Sequence, residues 1–253
     1  RHTRLQGDWS SDVCSSDLMP PLTFLRRVPG LDAASLRDCY VDSTVWDGFD
    51  PDKFTLCSPD PQAFRPPEEP LNVLQVRLPT NFKAARFTGD ADTAMLQRLA
   101  ADIEAARFTD AAGNVMEIPV KLKVHESLFV PMAKWAMLIA GNYRCVGADD
   151  MRPIQQAVHD DIDLSRAIYN QVVDLCISLG SDAADLVPFE KYAAAAQSLG
   201  SPSSAARALA AGAKNIERVD KLVQTIARQK GQTIEGLDAI VGLVDHWLTK
   251  NRG

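Results

Sequence analysis

A change of character near residue 120 constrains this chain more than any other feature. Before it, prolines are dense and short stretches alternate apolar with polar residues. After it, apolar residues recur at helical spacing in one segment after another. A chain in that order folds as an αβ piece followed by a domain of about six helices.

In the first part, "VLQVRLP" (73–79) has the period of a half-buried strand, and "KFTLCS" (53–58) and "YVDSTVW" (40–46) are weaker strand candidates. Between them, the prolines of "SPDPQAFRPPEEP" (58–70) exclude a helix interior and cannot donate to a sheet ladder. A loop or a sheet-edge crossing is predicted there. "DTAMLQRLAADIEAARF" (92–108) predicts a helix with Met95, Leu99, Ile103 and Ala106 on its buried side, capped by Asp92 or Thr93. "VMEIPVKLKV" (115–124) returns to strand alternation.

The second part opens with "ESLFVPMAKWAMLIAG" (126–141), apolar nearly all round and so expected to be buried, with Pro131 marking a first turn or a kink. Residues 151–180 read as one helix stopped by Gly180, with Ile154, Val158, Leu164, Ile168, Val172, Leu175 and Leu179 on its apolar face. Shorter helices are predicted over 188–200, over 201–212 behind a serine cap, over 215–231, and over 233–250 with Thr233 as cap. No internal repeat and no GxGxxG or GxxxxGK[ST] phosphate loop is present.

Residues 1–18 stand apart. "GDWSSDVCSSDL" (7–18) has no apolar period, and back-translated it reads as a short-read sequencing adapter in one frame. The stretch is expected to be a disordered artifact, so the natural chain is expected to extend upstream of Met19. The rest is long enough for one or two domains, and the 46% of apolar residues in the whole chain is globular in composition. The net charge of −6 gives nucleic acid no electrostatic reason to bind. No apolar run approaches the ~20 residues of a membrane span. Cys39, Cys57, Cys145 and Cys176 are far apart and form no CxxC, which reads as buried thiols in a reducing cytoplasm.

Lys134 is the residue with most chemical meaning. It interrupts the apolar run "FVPMAKWAMLIAGN", and a buried ammonium must be paired, lie at a cleft or titrate downward. Asn142 lies two helical turns on, roughly on the same face. Together a lysine and a carboxamide grip a carbonyl and a hydroxyl of a small substrate. The other reading is a snorkelling lysine, its stem on apolar neighbours and its head in water. Elsewhere, Arg144 follows closely enough to face a substrate carboxylate or to form a surface ion pair. His125–Glu126 reads as an acid–base pair or as a helix-start carboxylate. His159 with Asp160 and Asp161 reads as a solvated face rather than a metal site. Asn81 and Lys83 flank a cleft or belong to a polar loop.

The segment from about 120 to 253 resembles the C-terminal helical domain of ketopantoate reductases, two-domain NADPH-dependent enzymes related in fold to 6-phosphogluconate dehydrogenase. The family has a lysine followed at four-residue steps by two asparagines. Lys134 matches the lysine and Asn142 the second asparagine, with Leu138 in place of the first. A Ser-Ser pair and a downstream glutamate match "SPSSAARALAAGAKNIERVDKLVQTIARQKG" at Ser203 and Ser204, with Asn215 at the glutamate position by gapless count and Glu217 two residues on. The resemblance implies Lys134 as proton donor to a 2-keto acid, Asn142 and Ser203 as substrate holders, and Glu217 as orienter. Arg144 is the further candidate for the carboxylate.

It implies NADPH as cofactor and a homodimer built on the helical domain. The fold it implies is α+β and mainly α: a 6-phosphogluconate-dehydrogenase-like helical domain (123–253) behind an incomplete Rossmann-like remnant (19–122). The Gly-rich turn would lie upstream, and the fragment by itself would bind nucleotide poorly and be inactive. Leu138 points to a substrate other than ketopantoate, as in an opine-type dehydrogenase on the same scaffold. A non-catalytic helical interaction module is the third possibility.

Overall fold

The computed structural model describes residues 19–58 and 82–253 in full, with the backbone of Ala63–Phe64, Gln75–Val76 and Thr80–Asn81 and the turn residue Glu68. The adapter-like stretch and most of the proline-rich segment lie outside the described residues. The chain starts with a helical turn α1 (Leu22–Leu25) and short 3₁₀ turns at Ala34–Cys39, Thr44–Trp46 and Pro51–Lys53. Strands β1 (Cys57–Ser58), β2 (Ala63–Phe64), β3 (Gln75–Val76) and β4 (Thr80–Ala85) follow, then helix α2 (Asp90–Ala105). A hairpin of β5 (Arg107–Thr109) and β6 (Val115–Glu117) leads into β7 (Val120–His125). β1 lies antiparallel to β4, and β4 runs parallel to β7, with Phe82 opposite Leu122 and Lys83 opposite Lys123. The β4–α2–β7 unit is thus a parallel pair with a helical crossover.

The expected strand over 40–46 is a turn. Asp42 accepts from both the backbone N–H and the hydroxyl of Thr44, an Asx turn that competes with extended pairing. The helix predicted over 92–108 begins earlier, and its N-cap is Gly89 without a side-chain cap. Asp92 is instead drawn to Lys53, 2.6 Å away. The apolar stripe of α2 is also not where periodicity put it. Met95 is 56% and Leu99 49% exposed, and within α2 only Thr93 is fully buried. The helix lies over a narrow parallel pair too small to cover that stripe.

From residue 126 the chain is helical. The expected single helix over 126–141 is broken into a 3₁₀ turn (Val130–Met132) with Pro131 near its start, a short α3 (Trp135–Met137), a π-turn (Leu138–Asn142) and a 3₁₀ turn (Tyr143–Cys145). The 151–180 helix is two, α4 (Ile154–His159) and α5 (Ile162–Ser178), because Asp161 accepts from Leu164 N–H and starts a fresh helix. Then come α6 (Phe189–Ala196), α7 (Ser204–Ala210), α8 (Val219–Gln229) and α9 (Leu237–Arg252). The N-cap of α9 is Gly236 at φ +69°, not Thr233. No helix among the described residues is long and apolar enough to cross a membrane.

One apolar core runs through the helical body and reaches back past residue 122. Leu22, Phe24, Leu25, Val28 and Leu36 are buried in the same cluster as Leu222, Ile226 and Val244. Polar ties fasten the two regions: Gln229 Nε2 donates to Asp32 O and Lys230 Nζ to Gly30 O, each at 3.0 Å. Cys39, Cys145 and Cys176 are buried thiols as expected; Cys57 is exposed, because its side chain points away from the short β1–β4 pairing that buries Ser58.

The burial pattern separates two substitutions that periodicity treats alike. Met95→Lys on α2 should shift stability by no more than about 0.5 kcal/mol. Leu222→Ala on α8 should cost about 2–5 kcal/mol. Denaturant titration of both variants measures the difference.

Candidate functional site

Lys134 sits at the junction between the Pro131 turn and α3, as the residue before the first helical position. Its carbonyl accepts from Leu138 N–H at 3.0 Å. From Trp135 to Val146 every residue is fully buried except Met137 and Asn142. Lys134 and Asn142 are both half-buried. They are the polar residues that this apolar stretch brings to the edge of the core rather than into it.

The π-turn bears on their alignment. Tyr143 N–H donates to Leu138 O, five residues back. Eight α-helical steps would leave Asn142 roughly 80° off the direction of Lys134. A π-turn absorbs an extra residue, so the offset falls to that of a heptad, about 20°.

Two further segments are tied to this stretch. Ser203, 3% exposed, caps α7 by accepting from Ala206 N–H at 3.2 Å, and its hydroxyl donates to Asn142 O at 2.7 Å. Its proton is therefore spent on the backbone of Asn142. The loop before α8 is held by Tyr143: the phenol donates to Glu217 O at 2.6 Å and accepts from Val219 N–H at 3.1 Å. Burial pushes the Tyr143 phenol well up, helped by Asp220 and Glu217, so it remains a donor. Asn215 is exposed and accepts from Arg252 on α9 at 3.0 Å, so Glu217 is the residue of the two that the loop brings to Tyr143.

Behind the loop, Arg218 grips Asp220 through two bonds of 2.9 Å and Asp245 through one of 2.5 Å. Asp220 is fully buried, and burial pushes its carboxyl up against the pull of Arg218.

Arg144 does not face this edge. It is buried, its Nη1 donates to Ser165 Oγ and to Ala140 O, and burial depresses its pKa, Arg152 adding to the effect. It joins the π-turn segment to the start of α5, and neither a substrate carboxylate nor a surface partner is its role in this fold. Glu126 does not start a helix; it lies in the bend after β7 and pairs with Arg86 at 2.6 Å. His159 Nε2 lies 3.0 Å from Ala193 O, joining α4 to α6. No group of metal-ligating side chains occurs among the described residues. Lys83 is exposed on β4, and the Asn81 side chain lies outside what is described. A separate cavity of about 380 Å³ lies beyond the carboxyl ends of β4 and β7, lined by Arg26, Arg27, Arg86, Asp52 and Glu126. Its charges are largely paired, and Lys134 does not line it.

No protein-family model and no curated protein matches this sequence. Solved structures similar to it include a ternary structure of D-mandelate dehydrogenase with NADH and anilino(oxo)acetate, at TM-score 0.47 and 9% identity over 71% of this chain and 70% of that one. They also include a PanE/ApbA family ketopantoate reductase from Ralstonia eutropha JMP134, at TM-score 0.46 and 16% identity over 71% of this chain and 55% of that one. The chain spans about half the length of that reductase.

Tyr143, and Tyr192, whose hydroxyl donates to Met137 O at 3.1 Å, tie into the candidate site and were missed by sequence reasoning; nothing in "GNYRC" or "FEKYAAAA" marks a buried hydroxyl. Tyr143→Phe should strand Val219 N–H without an acceptor and cost about 1–3 kcal/mol. Hydrogen exchange over 213–219 should quicken while that of α5 stays unchanged.

His125 supplies a pH test. Burial lowers its pKa, aided by Lys83 and Lys123 and opposed by Asp185, and its Nε2 is buried with no hydrogen-bond partner among the described residues. The unfolded chain then takes up the proton first. Stability should be present above the ordinary value of 6.5 and fall as the pH drops through it toward the lowered folded value. His125→Gln should flatten that fall in thermal melts run from pH 7.5 to 5.

Proposed function

We propose that this chain carries the substrate-handling part of an NADPH-dependent oxidoreductase that reduces a small 2-keto acid, of ketopantoate-like size. The observation that supports it most is the grouping of Lys134 and Asn142 at one edge of the core, with the Ser203 cap and the Glu217 loop tied to the same stretch. On this reading Lys134 is the general acid. As the keto carbon accepts a hydride, charge develops on the carbonyl oxygen, and the lysine ammonium gives it a proton, leaving a 2-hydroxy acid. Partial burial raises the worth of that ammonium by thinning the water around it. The Asn142 carboxamide holds the substrate, Ser203 holds Asn142, and Glu217 orients the lysine and the ligand. Arg144 drops out of the substrate set because its guanidinium is committed to Ser165.

NADPH is proposed on the sequence resemblance alone. The described residues contain no glycine-rich turn between a strand and a helix that fits a pyrophosphate, so the steps derived above concern the proton and the substrate only. The same reading makes the helical body a 6-phosphogluconate-dehydrogenase-like domain that pairs with a second copy, in the cytoplasm. An opine-type dehydrogenase on this scaffold is the second reading, and Leu138 favours it. That side chain is 2% exposed in the core, where the resembled family presents a carboxamide.

The test offers the full-length protein a panel of ketopantoate, 2-oxoisovalerate and pyruvate, each with and without an amino acid, together with NADPH or NADH. Turnover is followed at the nicotinamide absorbance and binding by calorimetry. Lys134→Ala should lower kcat by about 10²–10⁴-fold with little change in KM. A requirement for the amino acid would favour the opine-type reading. Absence of keto acid binding, or full activity in Lys134→Ala, would leave a non-catalytic helical module.

A further inference from the structure

The π-turn between Lys134 and Asn142 has a visible cause. Gly141 lies at its centre, and a Cβ built there would sit 1.9 Å from Tyr192 Oη and 3.1 Å from Val158 Cγ2. The phenol of Tyr192, reaching across from α6, occupies the space that any side chain at 141 would need. It also donates to Met137 O at 3.1 Å, the carbonyl that an unbroken α-helix would offer to Gly141 N–H. Insertion of a polar side chain into the ladder is a recognised way to distort a helix. Tyr192 has little freedom to withdraw: it is 6% exposed and stacks on Tyr169 with ring centroids 5.5 Å apart.

We propose that Tyr192 is a positioning residue whose hydroxyl, wedged at Gly141, holds the π-turn open and so turns Asn142 onto the side of the helix that carries Lys134. The geometric part stands on the wedge itself; its value for binding rests on the reading that Lys134 and Asn142 address one ligand. Without the extra residue in the turn, Asn142 would swing by about 100° around the helix axis, and the two side chains would no longer converge. Π-turns are rare because they strain the ladder and persist where they serve a purpose. Here the purpose is register between two polar residues separated by an apolar stretch that carries no other polar side chain.

Tyr192→Phe removes the hydroxyl and keeps the ring. In its crystal structure, residues 138–142 should return to α geometry, with Tyr143 N–H bonded to Ile139 O in place of Leu138 O. Calorimetry with ketopantoate should show binding weakened by about tenfold, the scale of one lost hydrogen bond. Gly141→Ala approaches from the other side and should evict the hydroxyl with the same rotation. Tyr169→Phe is the control. It also removes a buried phenol bonded to a backbone carbonyl, that of Val187, but away from the turn. It should leave both the π-turn and the affinity as they are. A Tyr192→Phe structure that keeps the Tyr143-to-Leu138 bond overturns the proposal. So does ketopantoate affinity equal to the parent's in a chain whose Asn142→Ala variant has lost binding. If the parent binds none of the keto acids of the panel, the keto acid reading falls, and the Tyr192→Phe structure alone decides the wedge.

Discussion

Between Phe129 and Val146 the chain must be buried on almost every side, and the rest of the helical body is built around that demand. The segment is too apolar to face water, yet it is not a continuous helix, so each break leaves backbone groups that need partners inside the core. Side-chain hydroxyls from distant elements supply them. Tyr192 satisfies Met137 O, Ser203 satisfies Asn142 O, and Tyr143 carries the chain onward to the loop before α8. The same bonds that make the burial tolerable also fix where α6, α7 and the Glu217 loop meet the segment. Structure and candidate site are therefore one arrangement: the ties that settle the core decide which polar residues reach its edge.

The N-terminal region depends on the same body. Its turns between Leu22 and Cys39 lay apolar side chains against α8 and are fastened by Gln229, Lys230 and Lys221. The parallel β4–β7 pair behaves differently. It sets two lysines opposite each other, and α2 lies over it with an apolar stripe in solvent. Like charges opposed on a sheet weaken it, and parallel sheets are ordinarily covered on both faces. The helical body thus satisfies its own surfaces far more completely than the sheet does.

Much of the helical half was legible residue by residue. A serine cap on the 201–212 helix, Gly180 as stop, and the buried stripes of α5 and α8 follow from local chemistry and a period of 3.6. The misreadings share a cause. Asp161 divides a helix that periodicity joins, because a cap acts through one hydrogen bond and leaves no repeat. Gly236 caps α9 through its positive φ, which Thr233 conceals. Met95 and Leu99 have the spacing of a buried face, but spacing says only that one side of a helix is apolar and not whether anything lies against it. At the site, Lys134 and Asn142 were visible as polar interruptions of an apolar run. Tyr143 and Tyr192 were not, since their partners lie far along the chain.

By itself, the sequence determined that most of residues 126–141 is buried, that helices dominate after residue 120, and which two polar residues the buried stretch must present. Those are consequences of composition and period, which act locally. The tertiary structure alone decided the angle between those two residues, the commitment of Arg144 to Ser165 rather than to an exposed partner, and the approach of Glu217 rather than Asn215. Each depends on a group tens of residues away occupying a particular space, and no local pattern encodes a contact of that range.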